Sequence, residues 1–120
     1  DSRVIVIERQ NILFLEKLLE LVDLVTIDVT FTSLSKILPV IKKFLKPNGK
    51  IIALLKPQYE DQELAMKHRG IMPDESRNDI VEKIRKNIVE NGFAILGQTE
   101  SPITRTGGNK EFLLYLQNFP

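Results

Sequence analysis

An α/β domain whose sheet ends in an antiparallel hairpin is predicted by three features of this 120-residue sequence. Short apolar runs rich in β-branched residues alternate with stretches whose apolar residues recur every three or four positions, the pattern of strands joined by crossover helices. The last two runs follow each other with no helical stretch between them, which pairs them antiparallel. The longest run, residues 22–31, reads as a strand buried on both faces of a parallel sheet, with Asp28 at its carboxyl end. That edge is where open α/β sheets hold ligands.

In chain order, Val4-Ile5-Val6-Ile7 has no polar interruption and reads as a buried strand. It follows so closely on Asp1 that the domain is expected to be incomplete on its N-terminal side. Over residues 11–21, Ile12, Leu13, Leu15, Leu18 and Leu19 recur at helical spacing, with Asn11 as N-cap. After the second strand, Thr32 and Ser33 are cap-type residues, and Leu34, Ile37, Leu38, Ile41, Phe44 and Leu45 mark a helix that Pro39 is expected to kink or restart. Lys46-Pro47-Asn48-Gly49 is a turn by composition and residues 50–55 a strand, after which Pro57 holds Lys56 extended.

Residues 58–72 show no clear period and are expected to form a lid or an unstructured segment. Pro73-Asp74-Glu75-Ser76 opens the longest helix and Asn91-Gly92 closes it. Residues 93–96 and 111–116 are strands, joined by a long connection containing Gly107-Gly108. The order β-α-β-α-β-α-β-β suggests the second half of a Rossmann-like methyltransferase sheet, although a generic α/β domain would show much of it too, and the chain reads as one partial domain over residues 1–120. Such a sheet leaves apolar edges open, and a homo-oligomer or a rearranged strand order is expected.

Composition narrows the classes of function. With no Cys, a disulfide framework and a thiolate metal site are excluded, and the lone His68 offers no ligand cluster. No apolar run reaches the roughly 18 residues of a membrane span, and no signal-peptide pattern opens the chain, so a cytoplasmic protein without a membrane partner is expected. A net charge of +1 gives no global attraction to nucleic acid; RNA contacts must come from local clusters such as Lys67-His68-Arg69 and Arg105 with Lys110. In a neutral chain such clusters are also ordinary solvated loops.

Three polar residues sit at strand ends: Asp28, Lys56 and Glu111. Singly, each has an ordinary reading, Asp28 as a turn or cap residue, Lys56 as a solvated charge and Glu111 as a gatekeeper of an edge strand. Together they form one constellation. The segments Val22-Asp23-Leu24-Val25-Thr26-Ile27-Asp28-Val29-Thr30-Phe31-Thr32-Ser33-Leu34, Leu55-Lys56-Pro57-Gln58-Tyr59-Glu60, Ser101-Pro102-Ile103-Thr104 and Gly108-Asn109-Lys110-Glu111-Phe112-Leu113 resemble, in order and in register, the TlyA family of FtsJ-like ribosomal RNA 2′-O-methyltransferases, whose members often carry a haemolysin label. The resemblance spans nearly the whole chain but only the latter part of the family's catalytic domain. The family's S4-type RNA-binding domain and Gly-rich S-adenosylmethionine loop have no counterpart here.

The resemblance implies S-adenosylmethionine as cofactor, ribosomal RNA as partner and a Lys-Asp-Lys-Glu tetrad, of which Asp28, Lys56 and Glu111 match the last three members. Asp28 is also implied beside the cofactor, and Asn11, in Glu8-Arg9-Gln10-Asn11, beside its adenine; N-cap and adenine contact are alternatives for that one side chain. Thr30 stands where the family usually has Ser, and Arg105 where Gly is common. The residue types suit the chemistry. Methylating a ribose hydroxyl requires its proton to be taken or steered while water is kept away, and a desolvated Lys oriented by carboxylates can do so. The other reading is a non-catalytic RNA- or protein-binding module that kept the sheet and lost the cofactor loop. No amphipathic membrane-active helix stands out to support haemolysis.

Overall fold

The computed structural model describes residues 1–103 and 108–119. Among them a four-stranded sheet, β1 (Val22–Ile27), β2 (Leu45–Leu55), β3 (Phe93–Glu100) and β4 (Phe112–Asn118), runs in the order β1-β2-β4-β3. β1 and β2 are parallel, joined by α1 (Leu34–Lys42); β4 pairs antiparallel with both β2 and β3. The terminal hairpin is therefore present, and β4 is inserted between β3 and β2.

Alternation along the strands explains which face is covered. In β2, Ile51, Ala53 and Leu55 are fully buried while Ile52 between them is exposed, the period-2 signature of a sheet wet on one side. The dry face takes Leu34, Ile37, Leu38 and Ile41 of α1 together with Val81, Ile84 and Ile88 of α4 (Asp74–Glu90), both series at helical spacing. Leu24, Ile52 and Tyr115 stand on the other side, exposed.

Several expectations are corrected. The run at residues 22–31 ends as a strand at Ile27, and β1 is an edge strand with Asp23, Leu24 and Thr26 exposed rather than a strand buried on both faces. Residues 4–7 form no strand and expose their side chains, because a strand needs a neighbour for its N–H and C=O groups and none of the described strands pairs with them. The helix expected over residues 11–21 is a single 3₁₀ turn, Ile12–Phe14, since its apolar stripe has too little core to lie on and short helices hold only by packing. Pro39 neither splits nor restarts α1, which runs through it as one helix whose buried face supplies the stabilisation that the missing N–H removes.

The turn at residues 46–49 appears as a register shift within β2, with Asn48 left-handed at φ 64°. Residues 58–72, expected as a lid or unstructured, hold two short helices, α2 (Pro57–Glu60) and α3 (Gln62–Lys67). Their length hides any period, and Asp61 caps α3 by accepting from the Leu64 N–H.

The sheet's far end is fastened by Lys42. Its Nζ donates to the Gly92 carbonyl at 3.0 Å and to Asn118 Oδ1 at 2.6 Å, and lies 4.6 Å from the centre of the Phe93 ring. Gly92 is left-handed at φ 86°, a conformation that favours glycine in this turn, and a Cβ there would lie 2.9 Å from that ammonium, which the Lys42 chain would have to move. Among the described residues no helix is long and apolar enough to cross a membrane.

Candidate functional site

Topology brings the three polar residues together. Asp28 follows the last residue of β1, Lys56 the last residue of β2, and Glu111 precedes the first residue of β4. Because β1 is parallel to β2, and β4 antiparallel with Phe112 opposite Leu55, the carboxyl ends of the first two strands and the start of β4 share one edge of the sheet. Positions separated by 28 and 55 residues in sequence thereby come to one edge, although Asp28 is not among the residues that line the cavity shared by Lys56 and Glu111.

Lys56 is 5% exposed, and its Nζ lies 2.5 Å from Oδ1 of Asp28, which is 61% exposed. Glu111, 2% exposed, accepts a hydrogen bond at 2.9 Å from Nε2 of Gln58. Lys56 and Glu111 line one cavity of about 490 Å³ with Gln58, Phe31, Tyr59 and Arg69. A buried ammonium has to be balanced, and the Asp28 carboxylate does this from the wet side.

The cavity mouth is aromatic. Phe31 is 70% exposed, left-handed at φ 58°, and its ring centre lies 4.9 Å from that of Tyr59 at 56°. Gln62 Nε2 donates to the Phe31 carbonyl at 3.1 Å and holds this turn to α3. Such a backbone conformation is unfavourable for an aromatic residue and persists only where its surroundings enforce it. Asn109 also lines the cavity; its Oδ1 accepts from the Met72 N–H at 2.9 Å while its Nδ2 donates to the Gly70 carbonyl at 2.7 Å.

Other residues singled out from sequence are placed as follows. Asn11 caps the 3₁₀ turn, accepting from the Leu13 N–H at 2.9 Å, and does not line the cavity. Arg69 lines the cavity with a left-handed backbone at φ 59°. Lys67 and Lys110 lie outside it, 3.9 Å from Glu63 and 3.8 Å from Glu100 respectively. Arg105 and Gly107 fall outside the described residues. Among the described residues no cluster of His, Asp and Glu could hold a metal ion.

Sequence reasoning gave no role to Phe31, Gln58, Tyr59 or Asn109. The first three lie inside the segments that carry the family resemblance, which was the available signal; Asn109 sits two residues before Glu111 and had none beyond its place in such a segment.

Glu60 joins the site's frame to α1. Its carboxylate accepts from the Leu34 N–H at 2.9 Å and from the Ser33 hydroxyl, at the N-terminus of that helix. Burial raises its pKa above the ordinary value, and the Ser33 and Leu34 bonds only partly pull it back. A carboxyl whose pKa is higher folded than unfolded contributes most below the unfolded value, and that contribution is lost as pH rises through the folded value. Glu60→Gln is therefore expected to gain stability relative to the wild type as pH rises from acid to neutral, measured as the difference between their urea midpoints. A difference that stays flat or shrinks with pH would contradict this.

Residues 1–118 match the model of the FtsJ-like methyltransferase family. A Bacillus subtilis protein named provisionally as the rRNA methyltransferase YqxC is 36% identical over 120 residues, covering 97% of this chain and 43% of its own. The 16S/23S rRNA (cytidine-2′-O)-methyltransferase TlyA of Mycobacterium tuberculosis is 32% identical over 120 residues, covering 98% of this chain and 45% of its own. The crystal structure of a protein from Lactococcus lactis, named provisionally as a hemolysin, superposes with a TM-score of 0.88 at 36% identity, over 98% of this chain and 58% of that one. The chain thus spans less than half the length of the two curated relatives.

Proposed function

The chain belongs to the FtsJ-like methyltransferase family, and from that premise we propose that it is the latter part of the catalytic domain of a ribosomal RNA 2′-O-methyltransferase that uses S-adenosylmethionine. The observation that carries the reading is the buried Lys56 ammonium, 2.5 Å from Asp28 and sharing a cavity with Glu111. An amine in that setting takes or steers the proton of a ribose hydroxyl, with Asp28 orienting it. Glu111 completes the network that holds the cavity in shape.

The residues present suit one side of the cofactor. S-adenosylmethionine carries a positive sulfonium and a positive ammonium, and Asp28 is a carboxylate exposed at a strand end where open sheets bind such groups. When bound, the cofactor supplies an electrophilic methyl group. Asn11 is proposed to lie against its adenine. On the substrate side, the Phe31 and Tyr59 rings offer faces for a nucleobase, and Arg69, together with Lys67, Arg105 and Lys110, offers charge to the phosphates. The edge strand β1, whose own Leu24 is exposed, supports self-association through the sheet.

The test is calorimetric titration of this chain with S-adenosylmethionine beside Asp28→Ala, followed by a methyl-transfer assay of the intact gene product on ribosomal RNA. Saturable binding abolished by the substitution, with transfer to a ribose oxygen, is the expected result. An intact gene product that transfers no methyl group to RNA would sink the reading and leave a binding module.

A further inference from the structure

We infer that Gln58 is a positioning residue that clamps the Glu111 carboxylate beside Lys56, an inference that rests on the methyltransferase reading above. Gln58 is the second residue of α2 and is 8% exposed. Of its two amide heavy atoms, only the nitrogen has a partner among the described residues. Nε2 donates to Oε2 of Glu111 at 2.9 Å, whereas Oε1 is shut off from solvent and meets no donor among the described residues.

A buried carbonyl oxygen without a donor costs stability, and native folds tolerate few of them. Met has nearly the same length and volume and would fill this space without stranding an oxygen. Packing alone therefore does not account for an amide here; the bond to Glu111 does. A carboxylate held through one oxygen cannot rotate freely about its own axis, so its second oxygen keeps a single orientation in the cavity.

The clamp is built rigidly. Lys56 is extended at φ −115° and ψ 96°, and Pro57 occupies the first position of α2 with its ring fixing φ. Lys56 and Gln58 thus enter the same cavity from either side of one stiff residue, the first as the amine and the second as the holder of its neighbouring acid. A misplacement of reacting groups by about 1 Å can cost on the order of 100-fold in rate, which is the scale such a clamp can protect.

The experiment is a double-mutant cycle in the intact gene product, combining Gln58→Met with Glu111→Gln, read in kcat, in KM for S-adenosylmethionine and in the urea midpoint. Gln58→Met is expected to lower kcat roughly 10- to 100-fold, to leave KM unchanged and to hold or raise the urea midpoint. Added to Glu111→Gln it is expected to cost nothing more, because a residue that acts through another has no effect once that other is gone. Additive losses, an unchanged kcat in Gln58→Met, or failure of that variant to fold would each overturn the inference. A wild-type protein that transfers no methyl group would overturn the functional reading and this inference together, and the wild-type arm alone identifies that case.

Discussion

Replacing Lys56 by Met is expected to lower methyl transfer to ribosomal RNA by about 10²- to 10⁴-fold, the scale of a lost proton-transfer group, and to leave the fold no weaker. The second half of that result separates the site from its scaffold. Lys56 is 5% exposed, so its ammonium has given up most of its hydration, and substituting an apolar chain of similar volume removes that cost. Of the carboxylates left behind, Asp28 is 61% exposed and recovers water, and the buried Glu111 keeps the hydrogen bond from Gln58. Single-turnover rates and urea midpoints of the two proteins check the two halves independently. A Met variant that is as fast as the wild type would remove Lys56 from the chemistry, whereas one that is markedly less stable would show the amine to be structural.

Replacing Asp28 by Asn is expected to do more harm to the fold than replacing Lys56, although Asp28 is the more exposed partner. The Asn variant takes from the buried ammonium the counter-charge that lies 2.5 Å away, and a buried charge short of compensation is the costly half of a broken pair. Water screens a pair with one exposed member, so the loss is set at about 1–2 kcal/mol rather than the larger figure for a fully buried pair. The same change is expected to cost most of the methyl-transfer rate, since Lys56 would no longer be oriented. Parallel unfolding curves for Asp28→Asn and Lys56→Met test the asymmetry directly, and a smaller loss in Asp28→Asn than in Lys56→Met would refute it.

Helices α1 and α4 were legible because their signals are local. Ser33 caps α1 as its residue type indicates, accepting from the Ser35 N–H at 3.1 Å, and Asn91-Gly92 ends α4 where the composition places an end. Signals at residues 4–7 and 11–21 were just as strong by pattern and still failed. Apolar periodicity records only that a segment has a face to bury; whether it becomes strand or helix depends on a partner being there, and at that end of the chain the described residues offer little.

Sequence by itself determined the α/β class, the closing hairpin, the ends of α4 and, through the segments shared with a known family, the choice of Asp28, Lys56 and Glu111. Tertiary structure alone decided that β1 is an edge strand, that α2 and α3 wall a cavity, that Phe31 turns left-handed against Tyr59, and that Gln58 holds Glu111. The division follows from range. Caps, turns and periodicity are set by neighbours a few residues apart, while burial of a charge and the pairing of a side chain depend on which strand ends the sheet register brings to one edge.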